Sequence, residues 1–150
     1  MRFDPPPILV TGVHRSGTTW VGKMLAAGAE VAYISEPLNV WHRRGVFAAA
    51  IPYWYFYICE ENEGDYLPAF RSLLAYDYHW VNEIRSLRSF HDFGRMVRDS
   101  STFLLGKFFR RRPLIKDPFA VFSVPWFMER LGCQVVVTVR HPAAFASSLK

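Results

Sequence analysis

The chain runs from Ile8-Leu9-Val10 through Gly12-Val13-His14-Arg15-Ser16-Gly17 into Thr18-Thr19-Trp20. No other stretch limits the possible folds as much. The apolar triplet predicts a short buried strand. Trp20, Val21, Met24, Leu25 and Gly28 then recur at helical spacing. Gly12 and Gly17 can take backbone angles closed to other residues, so the loop amides can turn inward toward an anion. The following helix adds the positive end of its dipole. A bare glycine turn is the alternative, but an Arg, a Ser and two Thr in and beside the loop favour a bound anion.

The spacing G-x-x-x-x-G followed by Thr18-Thr19 matches the P-loop pattern except at Thr18. Nucleoside triphosphatases carry lysine there to neutralise the terminal phosphates. Arg15 supplies a cation elsewhere in the loop, so the sequence favours a phosphate donor other than ATP or GTP.

Val31 to Ile34 reads as a second strand, which makes a βαβ unit and implies a parallel sheet. Ligands of such sheets sit beyond the carboxyl ends of the strands. Glu36 falls there, expected to be held extended by Pro37. It acts either as general base for an acceptor hydroxyl or as an ion-pair partner of Arg15 or Arg43. Leu114-Ile115 predicts another strand, with Lys116 and Asp117 at its end. Asp117 is a second candidate base, a turn residue or a partner of Lys116. Ser123 and Pro125 open a helix that Gly132 closes. Gln134 to Val139, nearly all β-branched, predicts a strand in the middle of the sheet. It leads into Arg140-His141-Pro142 and a helix from Ala143 to Lys150.

Arg15-Ser16-Gly17-Thr18-Thr19-Trp20 resembles the 5′-phosphosulfate loop of sulfotransferases that use 3′-phosphoadenosine 5′-phosphosulfate (PAPS). The arginine matches carbohydrate and bacterial members more closely than cytosolic ones, which carry lysine. Arg140-x-Pro142 followed by Ser148 resembles the segment that binds the 3′-phosphate in that family. Glu36-Pro37-Leu38 is similar to a segment of carbohydrate sulfotransferases. The resemblance covers about 8–39 and 113–150.

The resemblance implies an α/β fold with a P-loop-type parallel sheet flanked by helices. The donor would be bound by His14, Arg15, Ser16, Gly17, Thr18, Thr19, Trp20, Arg140 and Ser148. Arg15, Glu36 and Lys116 would be catalytic, and the acceptor a hydroxyl of a carbohydrate or small molecule, with no metal. Cytosolic members place a catalytic histidine two residues after the lysine. Pro118 stands there, so a carboxylate must serve, or catalysis rests on positioning. Sulfotransferases also run longer, which implies a fold incomplete at its C-terminus. Two other readings remain open: a P-loop kinase acting on a nucleotide or sugar, and a non-catalytic module binding nucleotides or polyanions.

The 150 residues suffice for one domain. A net charge of +5 favours anionic ligands, although the one dense basic run, Arg110-Arg111-Arg112, reads as a solvated face. Cys59 and Cys133 are far apart and lack metal spacing. The longest apolar stretch, 46–59, is too short to span a bilayer. These features suggest a cytoplasmic setting without a transmembrane segment or nucleic-acid partner; the oligomeric state is not legible. Between 40 and 112 the sequence predicts helices covering the sheet and forming the acceptor pocket. They are marked by Leu67, Phe70, Leu73 and Leu74, and more loosely by Phe93, Met96, Val97, Phe103, Leu104 and Phe108. The aromatic stretch 51–58 reads as core, lid or a wall for a flat acceptor.

Overall fold

A computed structural model describes residues 3–87 and 89–148. Strand β1 (Ile8–Gly12) leads through the glycine loop into helix α1 (Thr18–Leu25), and β2 (Val31–Ser35) follows. Helices α2 (Glu63–Leu74), α3 (Trp80–Ser86) and α4 (Phe90–Phe108) fill the middle of the chain. Strand β3 (Arg112–Lys116), a 3-10 helix (Pro118–Ser123), α5 (Val124–Leu131), β4 (Gln134–Thr138) and α6 (Pro142–Ser147) complete it. The structure is α/β, with a parallel four-stranded sheet in the order β2-β3-β1-β4 and helices flanking it.

The register lines up the strand ends that matter. Ser35 lies opposite Lys116, Val10 opposite both Lys116 and Val136, and Gly12 opposite Thr138. All four carboxyl ends therefore form one edge. On one face Ile8, Val10 and Leu114 pack with Val21, Val31 and Tyr33 beneath α1. Leu9, Ile34 and Ile115 face the other way, into a larger core with Phe47, Phe70, Phe103 and Phe127. Helix α1 lies close to the sheet because its buried face carries Gly22. A Cβ there would sit 2.9 Å from the Tyr33 ring and 3.2 Å from Lys116 Cγ.

Three expectations are corrected. β4 lies at the edge of the sheet, paired among the described residues with β1 alone, and Val137 and Val139 are exposed. β-branched residues favour a strand wherever it sits, so their density does not report its rank in the sheet. In α4, Met96 and Phe103 are buried, whereas Phe93, Val97, Leu104 and Phe108 are exposed, because one stripe alone meets the core. The basic run is not a solvated face throughout. Arg112 is half-buried, donating through Nε to the Pro6 carbonyl (2.6 Å) and through Nη2 to Gln134 Oε1 (2.5 Å). The aromatic stretch packs on the 3-10 helix, with Trp54 and Tyr55 against Phe119 at ring separations of 4.6 and 5.2 Å. The end of the expected last helix, Leu149 and Lys150, lies outside the described residues.

The segment after β2 is tied to α3 and α4 by buried charge. Arg43 pairs with Glu83, which is fully buried, and with Asp92 at 2.7 Å. Glu83 also accepts from the Gly45 amide at 2.7 Å. Removing Glu83 leaves Arg43 with Asp92 alone and strips the buried Gly45 amide of its acceptor. Glu83→Ala is expected to destabilise the fold by about 3 kcal/mol. Lys107→Ala, which breaks the exposed pair with Asp77, should cost less than about 1 kcal/mol. Urea denaturation midpoints of the two variants check the contrast.

Candidate functional site

The loop between β1 and α1 takes its shape from left-handed backbone angles at three positions: Gly12 (φ 151°), Arg15 (φ 64°) and Gly17 (φ 96°). Gly12 has no alternative, since a Cβ there would meet the Thr138 carbonyl oxygen at 2.3 Å. The Ser16 amide closes a turn onto the Val13 carbonyl at 3.0 Å. The Ser16 hydroxyl lies 2.7 Å from Thr138 Oγ1, which in turn donates to the Thr11 carbonyl at 3.2 Å. The loop is thus pinned to β4. Gly17 precedes α1 and no side chain among the described residues caps that helix, so its first-turn amides are open at the loop. Thr18 is buried, while His14, Arg15, Thr19 and Trp20 are exposed.

At the end of β4, Arg140 and the loop meet. Arg140 Nη1 donates to the Arg15 carbonyl at 3.1 Å, and Arg15 Nε donates to Ser148 Oγ at 3.2 Å. His141 caps α6, its Nδ1 accepting from the Ala143 amide at 3.2 Å. Arg15, Arg140 and Ser148, separated by up to 133 residues of chain, therefore share one rim of the sheet. Neither arginine has an acidic partner among the described residues.

Next along the same edge is an ion pair between Lys116 and Glu36. Lys116 is only 3% exposed. Glu36 differs from the expectation in two ways. Its partner is Lys116 rather than Arg15 or Arg43, and its backbone is not extended but left-handed, at φ 51°. The Glu36 amide still donates to the Lys116 carbonyl at 2.8 Å, so the chain turns while remaining in the ladder. Its second carboxylate oxygen accepts from Asn39 Nδ2 at 3.0 Å. Burial alone would raise the Glu36 carboxyl, but hydrogen bonds from Lys116 and Asn39, with the charges of Lys116 and His14, hold it below the usual carboxylate range. Glu36 is therefore ionised and oriented.

Asp117 is fully buried, and its oxygens accept from the Leu38 amide (2.6 Å) and the Phe119 amide (2.9 Å). A substrate hydroxyl cannot reach it, so it ties the loop after β2 to the 3-10 helix and is no candidate base. Among the described residues no three His, Cys, Asp or Glu side chains gather as a metal site would need. No helix among them is long and apolar enough to cross a membrane.

Beyond Glu36 and Lys116 opens a cleft of about 890 Å³, walled by α1, β2 and α4. It contains side chains the sequence reading did not single out: Lys23, Asn39, Arg95, Arg98 and Thr102. The signal available for the last three was their spacing, three and four residues apart on one helical face. Arg111 also lines the cleft, its Nε buried without a hydrogen-bond partner among the described residues. Comparison with protein-family models, curated proteins and solved structures finds no match to this chain.

Burial pushes the Asp117 carboxyl up to about 7, against the pull of its two amide donors. The unfolded chain ionises this group near its ordinary value of 3.8 and the folded chain near 7. Its contribution to stability is therefore full below the lower value and is lost as pH rises between the two, by roughly 1 kcal/mol per pH unit. Asp117→Asn cannot titrate. The destabilisation it causes should be greatest near pH 4 and shrink toward pH 7. Denaturation midpoints of both proteins across that range check the slope.

Proposed function

We propose that the chain binds PAPS along the rim formed by 12–20, Arg140 and Ser148, and transfers its sulfuryl group to a hydroxyl held in the cleft. The sheet would then be of the P-loop type. One observation carries the reading: Arg140 and Ser148 come within hydrogen-bond distance of Arg15, from the far end of the chain. Two anion-binding elements on one rim suit a ligand with phosphates at both ends of an adenosine. Guanidinium groups take phosphate oxygens in pairs, and the Ser148 hydroxyl adds a further donor. Arg15 is exposed and can turn off Ser148 to meet the 5′-phosphosulfate.

In this reading the acceptor oxygen attacks sulfur. The new S–O bond forms as the bond to the bridging 5′-phosphate oxygen breaks, and 3′-phosphoadenosine 5′-phosphate leaves. Arg15 and Lys116 stabilise the charge that builds on the leaving oxygen. Lys116 has three donors and gives one to Glu36, so two remain. Open amides at the start of α1, with the Thr19 hydroxyl, cradle the phosphate. Glu36 takes the acceptor proton. A carboxylate held below its usual range is a weak base, but the hydroxyl becomes strongly acidic as its oxygen bonds to sulfur, so the transfer is downhill late in the step.

Calorimetric titration of the chain with 3′-phosphoadenosine 5′-phosphate tests this. Binding is expected without magnesium, tighter than for ATP with magnesium, and weakened by about tenfold or more in Arg140→Ala. Equal affinity of wild type and Arg140→Ala, or a preference for ATP with magnesium, rejects the reading.

A further inference from the structure

Helix α4 carries two apolar faces. Met96 and Phe103 are buried against the body of the protein. Phe90, Phe93, Val97, Leu104 and Phe108 are between 50% and 99% exposed. At about 100° per residue these five fall within an arc of about 60°, so they form one stripe along the helix. A surface helix ordinarily turns one apolar stripe inward and keeps charged or polar residues outside. Here a second stripe, running from the first helical residue to the last, stands in water. Beyond it, on the side away from the core, come Arg98 and Arg95, both exposed. Arg110 follows just past the end of the helix and is exposed as well.

Charge gathers on the same segment. Residues 80–112 hold eight Lys and Arg against three Asp and Glu, a net +5 that equals the net charge of the whole chain. The rest of the sequence is balanced. Of the three acids, Glu83 is buried against Arg43, Asp92 pairs with Arg43 as well, and Asp99 pairs with its neighbour Arg98. Arg95 and Arg110 have no acidic partner among the described residues. Stripe and charge together select the occupant. A second copy of the chain would cover the stripe, but it would bring the entire net charge of each chain to the seam. A nucleic acid would take the arginines and leave the stripe in water. An anionic bilayer surface satisfies both: apolar side chains enter the acyl boundary, and guanidinium groups stay among the phosphates at headgroup level.

We infer that α4 docks the protein on a membrane surface rich in anionic lipid. The helix lies in the plane of the interface and does not cross it, in keeping with the absence of any spanning helix among the described residues. Phe90, Phe93, Val97, Leu104 and Phe108 enter the boundary between headgroups and acyl chains. Arg95, Arg98 and Arg110 bind lipid phosphates beside them. Met96 and Phe103 keep their places in the core, so docking leaves the fold as it is. Neither the nucleotide nor sulfuryl transfer is needed for it.

The test is co-sedimentation of the whole chain with lipid vesicles. Vesicles of phosphatidylcholine are compared with vesicles in which about a third of it is replaced by phosphatidylglycerol. The anionic vesicles are expected to bind about tenfold or more tightly, and the difference to collapse at about 1 M salt, where the screening length is about 3 Å. The double variant Phe90→Gln, Phe108→Gln should lose about tenfold or more in affinity for the anionic vesicles. Its urea midpoint should match that of wild type, because both rings already lie in water. Arg95→Gln and Arg110→Gln, also at exposed positions, should each cost about fivefold and carry the test by themselves if the phenylalanine variant is less stable. Equal binding to the two kinds of vesicle overturns the inference. So does an affinity unchanged in the phenylalanine variant, which would leave adsorption by charge alone. A dimer that forms without lipid and is abolished by the same variant assigns the stripe to a second copy instead. Tighter binding to a single-stranded oligonucleotide than to anionic vesicles assigns the arginines to nucleic acid, and also overturns it.

Discussion

A lysine ammonium buried at the end of an interior strand must find a carboxylate, and much of the site follows from how Lys116 finds one. Removing such a charge from water costs several kcal/mol unless it is paired and hydrogen-bonded. β3 lies between β2 and β1, so the nearest side chains come from those strand ends. The register sets Ser35 opposite Lys116, and the next residue, Glu36, is the first that can turn back over it. That turn requires a left-handed backbone at a non-glycine residue, a strain of about 1 kcal/mol. This is small beside the cost of a lone buried ammonium, so the pairing dominates and the backbone yields. Once Glu36 is fixed, Asn39 is fixed by its amide, and with it the path through Trp41 and His42 to the buried Arg43–Glu83 pair. The floor of the cleft and one of its walls are thus set by a single charge.

Much of the sheet edge was legible in the sequence, because its determinants are local. Gly12 is glycine because any Cβ would collide with the backbone of β4, and that need appears in the sequence as the residue itself. The ends of β1, β2, β3 and β4 carry Arg15, Glu36, Lys116 and Arg140 in an order that a parallel sheet brings to one edge without further information. The errors fell where the answer depended on a distant partner. Pro37 suggested an extended Glu36, since the local preference is real, but Lys116 lies 80 residues away and its demand is stronger. The valines of β4 predicted a strand correctly and its position wrongly, because strand rank depends on which other strands pair with it. Arg95 and Arg98 were passed over because a charged face on a helix usually meets solvent. What makes them part of a cleft is α1, some seventy residues earlier, and no periodicity within α4 reports that.

The rim and the cleft lie on either side of Glu36, and on the proposed reading this arrangement bears on how an ionised carboxylate would take a proton. In the free protein Lys116, Asn39 and His14 all stabilise its negative charge. On the proposed reading, a donor bearing phosphates on the rim would neutralise Arg15 and Arg140 and draw donors of Lys116 toward the bridging oxygen. Such a donor would remove positive potential from around Glu36 and add negative potential near it, which would raise its pKa. Glu36 would therefore be a poor base in the free protein and a better one once the donor is seated. Proton acceptance is then tied to occupancy of the site by electrostatics alone, with no change of backbone conformation required.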